Sequence, residues 1–362
     1  MKISFIIPYA RRSFEKDSTR LLSVINTLIH IPETDIIVFD SSHKPTQNIP
    51  CADNIIYIHS PFTHKVYSPA IARNQAVNFS KSDYIFFIDV DLIVPDTLLN
   101  QLVSIANTLM SINIKAFEMY PCFYLARESP FNNQINLNKQ TQIVCLDSFM
   151  KGNNDIIESI ALVTSCLLIN RKWFIQLKGF DETFIGHGGE DLELICRLTL
   201  HYQKGKLPID FCHDKKTIHP ANYEGFRRYL TQYTLEHLFK FNFFIHRWHP
   251  RPLTHKYHRQ RKSNETLLQT KIQRLMNENN TSISPHQPAS LNQFYQSWIK
   301  SLQHHYNWPL QAYPGLFHWQ QDMIIKRYFW RKCRKLYVKP RLFFTDLIKK
   351  QLYKFSQKIN RS

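Results

Sequence analysis

The first 112 residues alternate short apolar runs with helix-length stretches, and this alternation restricts the fold more than any other feature of the chain. Ile3–Ile7 is an apolar run ended by Pro8, and Ile36–Phe39, Ile55–Ile58 and Tyr84–Ile88 repeat the pattern. Continuous apolar runs of strand length belong to strands buried on both faces. Between them lie helix candidates at Leu21–Ile29, from Ser68-Pro69 to about Phe79, and at Leu98–Ser111. Ser68 offers an N-cap hydroxyl and Pro69 suits the first helical position. Strands alternating with helices predict an α/β layer around a largely parallel sheet. Ligands of such sheets bind beyond the carboxyl ends of the strands. Asp40, Asp89 and Asp91 stand at those ends.

The rest of the chain is less regular. Phe123–Cys145 is polar and rich in Asn and Gln, and reads as a mobile loop. Ala161–Asn170 reads as one further strand, 191–204 as a helix, and the aromatic stretch Tyr223–Phe244 as helical. Asn264–Asn280 is an amphipathic helix with Leu267, Leu268, Ile272 and Leu275 on one side. Thr281–Ser290, with Pro285 and Pro288, reads as a linker. The expected division is a catalytic domain over 1–280, a linker over 281–290 and a basic, helical extension over 291–362.

Two acidic motifs carry the chemistry. Four of the eight glycines fall within Gly179–Gly189, which runs straight into Glu190-Asp191. Glycine permits positive φ and close approach of another molecule to the backbone. The apolar spacing Leu192, Ile195, Leu198 then predicts a helix whose N-terminus faces a site. Asp191 at that terminus fits a general base that takes a proton from an attacking hydroxyl. Glu190 is the alternative base or an acceptor ligand. Acids are also favoured in any first helical turn by the helix dipole, but that does not explain the glycines before them. The second motif, Asp89-Val-Asp91, follows an apolar strand. On an extended backbone the two carboxylates would share one side and hold Mg²⁺ or Mn²⁺ against a diphosphate. A solvated strand end would carry the same residues with no ligand at all.

The formal net charge is +18, and residues 320–362 hold thirteen Lys/Arg against two acids, a net of +11. Such a stretch favours an anionic partner. Phe344, Ile348, Leu352, Phe355 and Ile359 form an apolar stripe within it, as expected of a helix lying on anionic lipid or packed on the catalytic domain. No nucleic-acid-binding motif accompanies the charge, which argues against a nucleic-acid partner. Seven cysteines occur singly, a pattern that fits reduced thiols in the cytosol. The apolar run at the start is too short for a signal peptide, and no stretch is long enough to span a membrane. The expected location is therefore cytoplasmic and peripheral, at the inner face of the membrane.

Five motifs in order carry a resemblance: Ile6-Ile-Pro-Tyr9, Val38-Phe-Asp-Ser-Ser42, Ala72-Arg-Asn74, Phe87-Ile-Asp-Val-Asp91 and Gly179-Phe-Asp-Glu…Gly-His-Gly-Gly-Glu-Asp191. Over about residues 1–270 the chain resembles glycosyltransferase family 2-like enzymes of the GT-A fold, especially those of bacterial capsule biosynthesis. The last motif looks like the acceptor-side motif of chondroitin polymerases and β-1,4-galactosyltransferases, with His187 where Trp is usual. The resemblance implies inverting transfer of a sugar from a UDP-linked donor to a growing surface polysaccharide or lipid-linked glycan. It implies a nucleotide-sugar site at Pro8, Tyr9, Asp40, Arg73, Asn74 and Asp89, with Asp40, Arg73 and Asn74 near the base or ribose. It places the metal on Asp89, Asp91 and one downstream His, the base at Asp191, and the acceptor against His187, Gly188 and Gly189. His249, in His246-Arg-Trp-His-Pro250, is preferred as that His over His219 in Ile218-His-Pro220. Arg73 is equally explained by a helix-surface salt bridge.

Two other functions remain open on the sequence. A nucleotidyltransferase would carry a Gly-rich N-terminal loop, and residues 1–20 contain no glycine. A non-catalytic, basic anion-binding protein would use the acids structurally and would not bind UDP in a metal-dependent way.

Overall fold

The computed structural model describes residues 2–11, 18–150, 155–215, 220, 223–249 and 255–278, with Cys333, Leu336, Tyr337, Pro340, Phe343, Phe344, Leu347 and Ile348 further on. The linker at 281–290 and nearly all of the basic extension, including most of its apolar stripe, lie outside the described residues.

In chain order the strands are β1 (Ile3–Tyr9), β2 (Thr34–Asp40), β3 (Ile55–His59), β4 (Tyr84–Phe87), β5 (Leu92–Ile93), β6 (Phe117–Met119), β7 (Cys122–Leu125), β8 (Ile157–Ala161), β9 (Leu167–Asn170), β10 (Asp214–Lys215), β11 (Glu224–Gly225) and β12 (Phe244–His246). Six of them make the main sheet in the order β3-β2-β1-β4-β9-β6. The first four are mutually parallel, whereas β9 runs antiparallel to both β4 and β6. All seven residues of β1 and of β2 are buried, as expected of strands covered on both faces.

Alternate side chains of these strands feed two cores. Ile3, Phe5 and Ile7 pack on one side with Leu21, Val24 and Ile25 of the helix Thr19–Leu28. Ile6, Ile37 and Phe87 pack on the other with Ala72 and Ala76 of the helix Pro69–Val77, and with Leu194 and Ile195 of the helix Glu190–His201. Full burial of each large apolar side chain contributes about 1.5–3 kcal/mol, so the three-layer arrangement is the stable solution for this pattern. The Pro69–Val77 helix starts as expected, with the Ser68 hydroxyl accepting from Ile71 N at 3.4 Å.

Several expectations are corrected. The Phe123–Cys145 stretch is not a loop: it contributes β7, a 3-10 turn at Pro130–Asn133 and the start of a helix, Lys139–Met150. Phe123, Leu125, Leu137 and Cys145 are diluted among polar residues yet belong to a third core, while Ile135 and Ile143 stay exposed. The Ala161–Asn170 strand is two strands, β8 and β9, in different sheets. The Tyr223–Phe244 stretch breaks into β11, the short helices Phe226–Leu230 and Leu235–Phe239, and β12. Gly225, at φ 66° with a Cβ position 1.8 Å from the His213 carbonyl oxygen, accounts for the first break. The smaller sheet runs β5-β12-β7-β8 and lies against the end of β4, with β12 in its interior. No helix among the described residues is long and apolar enough to cross a membrane, and all seven cysteines are free thiols.

Candidate active site

The carboxyl ends of β1 and β4 open into a cavity of about 750 Å³. Beyond β4 the backbone turns, with Leu92 N donating to Asp89 O at 3.2 Å. The two carboxylates of Asp89-x-Asp91 are therefore not carried on an extended strand, and they meet different partners. Asp89 accepts from Arg73 at 2.9 Å on Oδ1 and from the Ser165 hydroxyl at 3.2 Å on Oδ2. Asp91 is buried, pairs with Arg20, and has Oδ2 3.4 Å from His249 Nε2.

Strand β12 supplies a third group to Asp91. Its register pairs His246 with Leu92 on one side and with Tyr124 on the other. Arg247 N donates to Asp91 O at 2.8 Å, which fixes the histidine segment beside the acid. Ligand atoms of Asp91, His246 and His249 all lie within 4.8 Å of one another. His246 Nδ1 lies 2.7 Å from the Arg247 carbonyl oxygen. A carbonyl only accepts, so Nδ1 carries the proton, and the neutral ring would offer its Nε2 lone pair. The Tyr124 ring stacks on His246 at 4.7 Å and holds its plane. One carboxylate and two imidazoles suit a borderline divalent ion such as Mn²⁺, and backbone orientation of a ligating His is the usual supporting arrangement. The residues present therefore fit a divalent metal.

Across the cavity stands the glycine-rich turn. Gly186 N donates to Tyr67 O, and His187 N to Tyr257 O, both at 3.0 Å. Asn264 Nδ2 closes the turn by donating to Ile185 O at 3.0 Å and His187 O at 3.3 Å. Gly189 has φ 107°, and a Cβ there would stand 2.6 Å from the Phe184 ring. This turn delivers Glu190 and Asp191 to the cavity as the first residues of their helix. Asp191 is half-buried, and its Oδ1 accepts from Leu192 N at 2.9 Å.

Glu190 is held differently. Its Oε1 accepts from Arg73 at 3.1 Å, while Oε2 is buried without a hydrogen-bond partner. Burial and the neighbouring Asp191 charge push its pKa up to about 7, against the pull of Arg73. Arg73 is thus a buried bridge between Asp89 and Glu190. Those two carboxylates raise its pKa despite burial, so it stays charged.

The chain matches the profile of the family described as "Glycosyltransferase like family 2" over residues 17–273. It belongs to that family. Comparison with curated protein sequences finds no match. Among solved structures, TarS of S. aureus in complex with UDP-GlcNAc is similar at 14% identity and TM-score 0.32, over 55% of this chain and 54% of that one. A Drosophila β1,4-galactosyltransferase 7 mutant in complex with manganese, UDP-Gal and xylobiose is similar at 16% identity and TM-score 0.26, over 54% and 60%. The similarity thus spans little more than half of these two chains, and 34% of a longer TarS chain.

Within this family 2 chain, the expected residues Pro8, Tyr9, Arg73, Asp89, Asp91, His187, Gly188, Gly189, Glu190, Asp191 and His249 line one cavity. Asp40 and Asn74 do not. Asp40 is fully buried, accepting from Ser42 N, Thr46 N and Oγ1, and Tyr57 Oη at 2.7–2.9 Å. Burial alone would raise its pKa, but these hydrogen bonds outweigh it and lower the pKa. Asp40 shapes the loop after β2, with Oδ1 accepting from Ser42 N and the other three bonds on Oδ2. Asn74 braces the glycine turn: it accepts from Phe180 N at 2.9 Å and donates to Phe180 O at 2.8 Å and to Glu182 at 2.9 Å. Asp89, held by Arg73 and Ser165, is not among the clustered donor atoms of Asp91, His246 and His249, and His246 joins that cluster unforeseen. His219 lies outside the described residues. Arg20 and Ser165 were also missed, since no spacing links them to the acids they meet. For His246 a signal existed: His246-x-x-His249 follows the apolar run Phe243-Phe-Ile245.

Proposed function

We propose that this chain transfers a sugar from a UDP-sugar to a hydroxyl of a growing capsular or other surface glycan, with inversion at the anomeric carbon. The observation that carries the reading is the placing of the Asp91–His246–His249 donor set and the Glu190-Asp191 helix start on one cavity. A divalent ion held by Asp91, His246 and His249 would supply positive charge against the departing nucleotide diphosphate. Asp191 takes the proton of the acceptor hydroxyl as it attacks. Arg73 keeps Asp89 and Glu190 in fixed positions beside it. The net charge of +11 in residues 320–362 supports recruitment to anionic lipid at the cytoplasmic face, where a lipid-linked acceptor would be met.

A screen of UDP-sugars against surface-glycan oligosaccharides tests the reading. Transfer should release UDP and give a product whose anomeric configuration, read by NMR, is opposite to that of the donor. A product of retained configuration overturns inversion. In a parallel incubation with UTP and a sugar 1-phosphate, release of diphosphate with formation of a nucleotide-sugar would favour a nucleotidyltransferase instead. Sedimentation with anionic vesicles tests the membrane role: vesicle binding at low salt supports it, and its absence rejects it.

A further inference from the structure

One wall of the cavity has a role that the proton and metal chemistry leaves unexplained. Tyr67, Tyr257 and His187 line it with half-buried rings. The Tyr67 and Tyr257 centroids are 6.1 Å apart, and those of Tyr257 and His187 5.5 Å. His258 closes the group at 5.1 Å from Tyr257 and 5.4 Å from His187. These rings come from three distant parts of the sequence. The backbone bonds from Gly186 to Tyr67 and from His187 to Tyr257 join those parts, so the wall is built and not incidental. Beside the rings Gly188 has φ 86°, and a Cβ there would meet nothing within 4 Å. The main chain at this point borders open space that a ligand can enter.

Two lysines stand beside this wall. Lys65 and Lys256 are exposed, line the cavity and neighbour Tyr67 and Tyr257 in sequence. Arg261 also lines it and is paired at 2.9 Å with Glu265, the acid on the same wall. The C–H faces of a sugar pack on aromatic rings, whose π-faces carry the complementary negative potential. A sugar so placed would set a carboxylate or phosphate substituent near the two lysines.

We propose that this wall is an acceptor subsite for a negatively charged glycan, stacking a sugar on Tyr67, Tyr257 and His187 and meeting its charge with Lys65 and Lys256. The inference rests on the glycosyl-transfer reading and adds the acceptor class. The diphosphate of the donor is the other anion that these lysines could serve.

Calorimetric titration of the full chain, without donor, separates the sources. A hexuronate-containing tetrasaccharide is compared with its carboxyl-reduced form, and a phosphodiester-linked oligosaccharide with an uncharged one of equal length. UDP is titrated in parallel with Mn²⁺. At least one charged glycan should bind at least about tenfold more tightly than its neutral counterpart, with a preference that shrinks as salt rises. The pair that shows the preference identifies carboxylate or phosphate as the recognised group. The double variant Lys65→Gln/Lys256→Gln should lose the preference while UDP affinity stays within about twofold of the parent. Tyr257→Leu should weaken charged and neutral glycans together, with its thermal midpoint recorded to confirm folding. Equal affinity within both pairs, or no glycan binding at all, overturns the proposal. So does loss of UDP affinity in the lysine variant with the glycan preference intact, which would assign the lysines to the donor. Failure of the transfer reading would appear separately, as absence of UDP binding by the unsubstituted chain.

Discussion

At the residue scale, neighbouring acids differ because their surroundings differ. Asp191 is half-buried at the cavity, whereas Glu190 is buried against Arg73 with one oxygen unpartnered. Asp191→Asn keeps the shape and removes the proton acceptor. It should lower kcat by about 10²–10⁴-fold with little change in UDP affinity; a loss below tenfold with chemistry limiting would shift the base role to Glu190. Glu190 makes a different prediction. Its pKa rises from 4.5 to about 7 on folding. Below the lower value both folded and unfolded chains hold the proton, and between the two values the folded chain holds it preferentially. This contribution to stability is therefore present at low pH and is lost as pH rises through the window. Denaturant unfolding at pH 5 and pH 7.5 should show a smaller fall in stability with pH for Glu190→Gln than for the parent chain. Equal falls would contradict the assigned burial. Asp191 was legible because a glycine-rich turn running into a helix start aims the first acids of that helix at a site. The burial of Glu190 was not, since it depends on an arginine 117 positions away.

At the element scale, pattern reached the strands and helices but not the turns that aim their side chains. The apolar runs of β1, β2, β3 and β4 and the Ser68-Pro69 helix start were plain in the sequence. The Asp89–Leu92 turn was not, because an Asp-x-Asp pair reads alike on an extended strand and on a turn. Nor was β12, a three-residue strand whose place is set by pairing with β5 and β7. Pairing of that kind is non-local and leaves no periodicity to read. The candidate donor set of Asp91, His246 and His249 follows from these two elements. His246→Ala should abolish Mn²⁺ binding measured by calorimetry, whereas Asp89→Asn should retain it. Retention in the first and loss in the second would restore Asp89 as the ligand. The glycine turn is equally testable. Gly189→Ala imposes a side chain at φ 107° and a 2.6 Å contact with Phe184. Strain and overpacking together should lower unfolding free energy by about 2–4 kcal/mol, read as a shifted denaturant midpoint. An unchanged midpoint would mean that the turn is not fixed in this form.

At the scale of the whole molecule, a largely parallel sheet buried on both faces leaves its carboxyl edge as the natural place for a ligand. Both acidic motifs reach that edge. The smaller sheet then brings His246 and His249 to it from more than 150 residues downstream of Asp91. The arrangement explains why the acids alone suggested the reaction class while the complete donor set needed the fold. The chemistry proposed for this edge is metal-assisted transfer from a UDP-sugar. The most direct measurement is the rate of UDP release from a UDP-sugar panel with an acceptor oligosaccharide, in Mn²⁺ and then in excess EDTA. The account predicts release from at least one donor in Mn²⁺, its loss in EDTA and its return when Mn²⁺ is restored. Undiminished release in EDTA, or no release from any donor by the folded protein, would contradict it.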